Sequence, residues 1–126
     1  MGRMESKRIL VVDDEASIRD LLREAITAAG WEVDTAADAT EALRLVKENL
    51  YDAAVIDFAL PDMNGMRLHR EIRGMDDELG RRTMFISGLA QSVDRLDYYG
   101  ADAGGFLPKP FDVSELLHRL GKLLES

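Results

Sequence analysis

The chain contains no cysteine, which excludes disulfides and thiolate metal sites and fits a reducing, cytoplasmic setting without requiring one. No apolar run approaches the ~18 residues of a membrane-spanning helix, so no span is expected. The opening Met1-Gly2-Arg3-Met4-Glu5-Ser6-Lys7-Arg8 is too short and polar for a secretory leader. Positive charge is in deficit: 16 Lys and Arg face 24 Asp and Glu, for a net charge of −8, which argues against direct nucleic-acid binding. Neither G-x-G-x-x-G nor G-x-x-x-x-G-K occurs, so a nucleotide-binding phosphate loop is disfavoured. Internal repeats, linkers and low-complexity segments are also missing. What remains is a chain of 126 residues, 46% apolar and 32% charged. That is globular rather than disordered and long enough to bury a core. It reads as a short tail, 1–7, and one domain, 8–126.

The sequence is organised around Val55-Ile56-Asp57-Phe58-Ala59-Leu60-Pro61-Asp62-Met63-Asn64-Gly65. An apolar run from Ala53 stops at a carboxylate, and Pro61 and Asn64-Gly65 follow, so a buried strand ends with Asp57 at its tip and turns into a helix. Arg8–Val12, Trp31–Ala36, Thr83–Ser87 and Gly105–Leu107 read as four further short strands. Between them, Ile18, Leu21, Leu22, Ala25, Ile26 and Ala29 fall at helical spacing, with Gly30 as the stop. Asp38 and Glu41 form a capping-box pattern for a helix that turns Ala42, Leu43, Val46 and Leu50 inward. A helix over Asn64–Met75 buries Leu68 and Ile72, a polar loop spans Met75–Arg82, and a weaker helix covers Ser92–Gly100. Asp112 caps a final helix with Val113, Leu116, Leu117, Leu120 and Leu124 on one face. Strands that are apolar on both faces, alternating with helices, predict an open α/β sandwich with a parallel sheet.

Chemistry collects at the carboxyl ends of these strands. Asp13 and Asp14 end the first, Asp57 the third and Ser87 the fourth, while the fifth leads into Lys109 between Pro108 and Pro110. In open parallel sheets the ligand crevice lies outside those ends. A strand order of 2-1-3-4-5 would bring the three aspartates together, where they must take up a proton or a cation. All donors are oxygens, which selects Mg²⁺ before Zn²⁺. Lys109 supplies a point charge and Ser87 a hydroxyl. The set reads as phosphoryl transfer onto Asp57, with Mg²⁺ and Lys109 offsetting the developing charge.

In this order, Val11-Val12-Asp13-Asp14-Glu15, Asp57 with Leu60-Pro61 and Gly65, Ser87-Gly88, and Phe106-Leu107-Pro108-Lys109-Pro110-Phe111 resemble the receiver domain of two-component response regulators. The resemblance runs from Arg8 to about Leu124. It implies a flavodoxin-like (βα)5 sandwich, and the 2-1-3-4-5 order is taken from the family. It implies further that Asp57 accepts a phosphoryl group from the phosphohistidine of a sensor histidine kinase or a histidine phosphotransfer protein. Asp14, Asp57 and the Ala59 carbonyl would ligate Mg²⁺, with Asp13 helping directly or through water. Lys109 and Ser87 would contact the phosphoryl oxygens, Ser87 moving toward them and Phe106 turning inward behind it. The Lys109–Pro110 bond is often cis in the family, which would help aim Lys109. The face made by the fourth helix (92–100), the fifth strand and the last helix would be read by a partner or effector domain, and two copies could pair through it. Such a switch catalyses only its own phosphorylation and dephosphorylation.

Several positions depart from the family pattern. Ser87 stands where threonine is commoner, Phe106 lacks a phenolic hydroxyl, and Asp102 replaces a helix-ending glycine, leaving Gly104 and Gly105 to absorb the turn. Ala59 and Leu89, both apolar, flank the path of hydrolytic water and are expected to lengthen the phosphoaspartate lifetime. Singly, Asp13-Asp14 would be a cap or turn, Lys109 a solvated lysine, and Ser87 a helix cap. His69 and His118 are expected on the surface, and Trp31 at the core or rim far from the site. Tyr98-Tyr99 fits packing or output surface. An aspartyl phosphohydrolase would need a second acid where Ala59 stands, and a receiver-like module without phosphorylation would not need the full set of Asp13, Asp14, Asp57, Ser87 and Lys109. The setting stays open between a stand-alone regulator, a domain of a transcription factor, and the receiver of a hybrid kinase.

Overall fold

The computed structural model describes residues 6–88 and 105–125. The expected helix over Ser92–Gly100, and with it Leu89, Tyr98, Tyr99, Asp102 and Gly104, lies outside them. Five strands, β1 (Arg8–Val12), β2 (Glu32–Ala36), β3 (Ala53–Asp57), β4 (Thr83–Ser87) and β5 (Gly105–Pro108), form one sheet in the order β2-β1-β3-β4-β5. Every pairing is parallel. Helices α1 (Ala16–Ala28), α2 (Ala39–Glu48), α3 (Gly65–Met75), α4 (Asp77–Arg81) and α5 (Val113–Glu125) connect or follow them.

Alternation along the strands builds two cores. Leu10, Val12, Ala54, Ile56 and Phe85 meet Ala39, Ala42 and Val46 of α2 and Leu68 and Ile72 of α3. Ile9, Val11, Val55, Met84 and Ile86 meet Leu22 and Ile26 of α1 and Leu116 and Leu120 of α5. Because both faces are covered, the central strands are apolar throughout, as parallel strands require. Trp31 is half-buried against the second core. At the amino ends of the strands, Arg8 pairs with Asp34 at 2.8 Å, and the Tyr51 hydroxyl donates to Asp34 at 2.7 Å. This polar staple joins β1, β2 and the entry to β3 at the end opposite the site.

The helix ends follow from their capping residues. Asp38 accepts from the Glu41 N–H at 2.8 Å, while the Glu41 carboxylate accepts from Ala37 rather than from the cap residue itself. Asn64 caps α3 by accepting from the Arg67 N–H, and Gly30 takes the positive φ of +98° that stops α1. Gly105 opens β5 at φ +128°.

Three expectations need correction. Leu50 is not inward: α2 ends at Glu48 and Leu50 is 84% exposed, because the chain turns extended at Asn49 toward β3. The expected loop 75–82 contains α4, started by Asp76, whose side chain accepts from the Leu79 N–H at 3.1 Å. His69 is fully buried, not on the surface. α4 folds back over α3, so His69 Nε2 donates to the Gly80 carbonyl at 2.9 Å and the ring stands edge-on to Phe85. His118 is exposed, as expected.

Candidate functional site

The register of the sheet fixes which groups meet. Val12 lies opposite Ile56, Asp57 opposite Ile86, and Ser87 opposite Pro108. Asp13, Asp57, Ser87 and Lys109 therefore arrive together at one edge, each at or one residue beyond a strand end. Carboxylate oxygens of Asp13, Asp14 and Asp57 all lie within 4.8 Å of one another. Asp13 is fully buried and Asp57 is 5% exposed, whereas Asp14 faces solvent.

Lys109 closes this group. Its Nζ is 3.0 Å from Asp13 Oδ2, 3.3 Å from Asp57 Oδ2 and 2.9 Å from Glu15 Oε1. Its own N–H donates to the Ser87 carbonyl at 2.7 Å, which anchors the lysine backbone to the end of β4. The Lys109–Pro110 peptide is cis. Burial alone would depress the Lys109 ammonium, but the carboxylates of Glu15, Asp13 and Asp57 outweigh it and hold the group above its ordinary range. Asp57 is raised as well, but by burial. Burial pushes its carboxyl up, and the charge of Asp13 adds to this, against the Ala59 N–H bond and Lys109.

The loop after β3 is tightly folded. The Ala59 N–H donates to Asp57 Oδ1 at 3.1 Å, and the Gly65 N–H donates to the Phe58 carbonyl at 2.8 Å. A Cβ on Gly65 would sit 2.9 Å from the Phe58 Cα, so this return needs glycine. Asp62 ties the same loop to α2, accepting from the Ala39 and Thr40 N–H groups at 3.0 Å each and from the Thr40 hydroxyl at 2.8 Å. These bonds at a helix start draw its carboxyl below the usual range.

The expected residues converge. Asp13, Asp14, Asp57 and Lys109 form the cluster, Ala59 is exposed at its rim, and Ser87 is buried at the end of β4. Phe106 is half-buried against the first core. Glu15 on Lys109 and Asp62 on α2 had no assigned role in the sequence. Their partners lie 94 and 22 to 23 positions away, and no local pattern signals them. Asp13 Oδ2 is buried and faces the Lys109 ammonium at 3.0 Å. Three carboxylates within 4.8 Å of one another, an all-oxygen set served by one lysine, fit a hard divalent cation.

Fold and site together define a signalling-type α/β domain whose strand ends present an acidic, lysine-closed pocket. Residues 9–121 match the family model for the response regulator receiver domain, and the chain belongs to that family. It is 37% identical over 117 residues to response regulator MprA of Mycobacterium sp. (strain KMS), a match covering 93% of this chain and 50% of the relative. MprA of Mycobacterium tuberculosis (strain ATCC 25618 / H37Rv) is 36% identical over 119 residues, 94% and 51% of the two chains. The chain thus spans about half the length of the curated relatives it matches. Among solved structures, a receiver domain protein (CheY-like) from Methanospirillum hungatei JF-1 superposes with a TM-score of 0.88 at 28% identity, covering 96% and 95% of the two chains. TrrA from Thermotoga maritima, solved in complex with Mg²⁺-BeF, gives 0.82 at 32% identity, covering 93% and 98%. No helix among the described residues is long and apolar enough to cross a membrane.

Proposed function

We propose that the 8–126 domain is a phosphorylation-driven switch whose acceptor is Asp57. The observation that carries this is the convergence of one buried carboxylate with a lysine ammonium 3.3 Å away and two further aspartates. An Asp57 carboxylate oxygen forms a bond to phosphorus as the P–N bond of a donor phosphohistidine breaks; the electron pair stays on the imidazole nitrogen, which then takes a proton from water. Lys109 and the Ser87 hydroxyl receive the phosphoryl oxygens. Asp14, Asp57 and the Ala59 carbonyl, with Asp13, would hold Mg²⁺, which when bound supplies charge neutralisation to the transferring group. TrrA, solved with Mg²⁺-BeF, supports that choice of cation.

The donor is a histidine kinase or a histidine phosphotransfer protein. An apolar cleft lined by Ile18, Leu21, Pro110 and Phe111 opens beside Lys109. It offers such a protein a seat within reach of the acceptor. Output would pass through β5 and α5 to an effector domain or a second copy. Apolar Ala59 at the rim favours a long-lived phosphoaspartate, because it cannot orient attacking water. The test is intact mass after treatment with acetyl phosphate and Mg²⁺, beside Asp57→Asn. The wild type gains one phosphoryl group and the variant gains none; equal masses for both would overturn the assignment.

A further inference from the structure

Glu15 sits at the N-cap of α1 with φ −91° and ψ 117°, yet its side chain caps nothing. Instead it reaches Lys109, 94 positions along the chain, at 2.9 Å. An ammonium has three N–H bonds, and Lys109 already faces three carboxylates, on Asp13, Glu15 and Asp57. A phosphoryl group arriving on Asp57 needs at least one of those donors, so one contact must give way. Asp13 is fully enclosed, and its other oxygen holds the Glu15 N–H at 2.9 Å. Asp57 is the group being modified. The Glu15 side chain is 58% exposed, so its carboxylate regains water on release and is the cheapest to lose.

We propose that Glu15 is the exchangeable counterion of Lys109, a positioning residue whose charge at the mouth of the site selects phosphodonors by their own charge. In the resting domain it occupies the lysine donor that the incoming group requires. Once displaced, it leaves a full negative charge beside the path of that group. Donors that bring more negative charge are slowed more than donors that bring less, and a phosphohistidine presented by a docked protein is favoured over small anionic phosphates.

This inference rests on the proposed acceptor role of Asp57. Its test compares two small donors at saturating Mg²⁺. Acetyl phosphate is a dianion at neutral pH and loses acetate as its P–O bond breaks. Phosphoramidate carries one net negative charge and loses ammonia as its P–N bond breaks. Rates of phosphoryl gain are read by mass for the wild type, Glu15→Gln, Glu15→Ala and Glu15→Asp. Removing the charge should speed acetyl phosphate about 3- to 10-fold while changing phosphoramidate less than about 2-fold, the size expected for one near, partly screened charge. The shift in ratio should shrink in high salt, and Glu15→Asp, which keeps the charge, should keep the wild-type ratio. If Gln and Ala move both donors by the same factor, or neither, the inference is overturned while the role of Asp57 stands. If the wild type takes phosphate from neither donor, the proposed function fails and this inference falls with it.

Discussion

Asp57 is held under opposing demands. In the proposed transfer its carboxylate must be ionised to attack phosphorus, yet burial pushes its acidity down and neighbouring Asp13 adds to that. The folded state therefore binds its proton more tightly than the unfolded chain does. The domain keeps any benefit of a neutral Asp57 at low pH and loses it as pH rises through the folded value. Asp57→Asn should accordingly melt higher than the wild type at pH 7 without divalent metal, and the gap should narrow as pH falls into the acid range. Thermal melts across pH would check this; equal melting temperatures at pH 7 would show that Lys109 fully offsets the burial. At this scale the sequence is informative wherever an apolar run stops at a polar residue, which is how Asp13, Asp57, Ser87 and Lys109 could be read. It is silent on Glu15 and Asp62, because a side chain's partner across 94 or 22 positions depends on how elements pack and not on any local pattern.

Among the elements, α3 and α4 act as one unit. His69 on α3 donates to the Gly80 carbonyl on α4, the Thr83 hydroxyl donates to the Leu79 carbonyl, and Asp76 starts α4 where α3 ends. Replacing His69 with Leu keeps most of the buried volume but withdraws this donor from a buried carbonyl. The expected loss is about 1 to 3 kcal/mol, read as a lower urea midpoint with an unchanged slope; an unmoved midpoint would mean that the contact contributes nothing. α4 is not legible in the sequence because five residues are too few to show a helical period. The burial of His69 is not legible either, because Leu68 and Ile72 alone mark the apolar stripe of α3, and α4 is the surface that covers the ring. The long helices were legible for the opposite reason: α1 and α5 each bury a face through more than three turns.

For the molecule as a whole, the polar groups divide by end. The amino ends of the strands carry the Arg8–Asp34–Tyr51 staple, and the carboxyl ends carry the acidic cluster. Millimolar Mg²⁺ should raise the melting temperature, because a cation that binds only the folded cluster stabilises it by mass action. Asp14→Ala should lose most of that shift. Trp31 lies beside Gly121 just before β2, away from the cluster, so its emission should barely respond to the metal. A large quench, or an unchanged melt, would contradict this layout. The site was legible because β1, β3, β4 and β5 end where its chemistry begins; the strand order, which came from the family resemblance, and which face of a helix meets which neighbour were not. The contact between Glu15 and Lys109 carries one more consequence. It joins the first strand to the last, so the pocket cannot close until β5 has docked on the edge of a sheet already holding β1, β3 and β4. Closing so long a chain segment carries a loop-closure cost that local contacts do not. In the proposed switch, a nascent polypeptide still lacking β5 would present its aspartates without the lysine, and would be unable to accept phosphate until synthesis has passed Lys109.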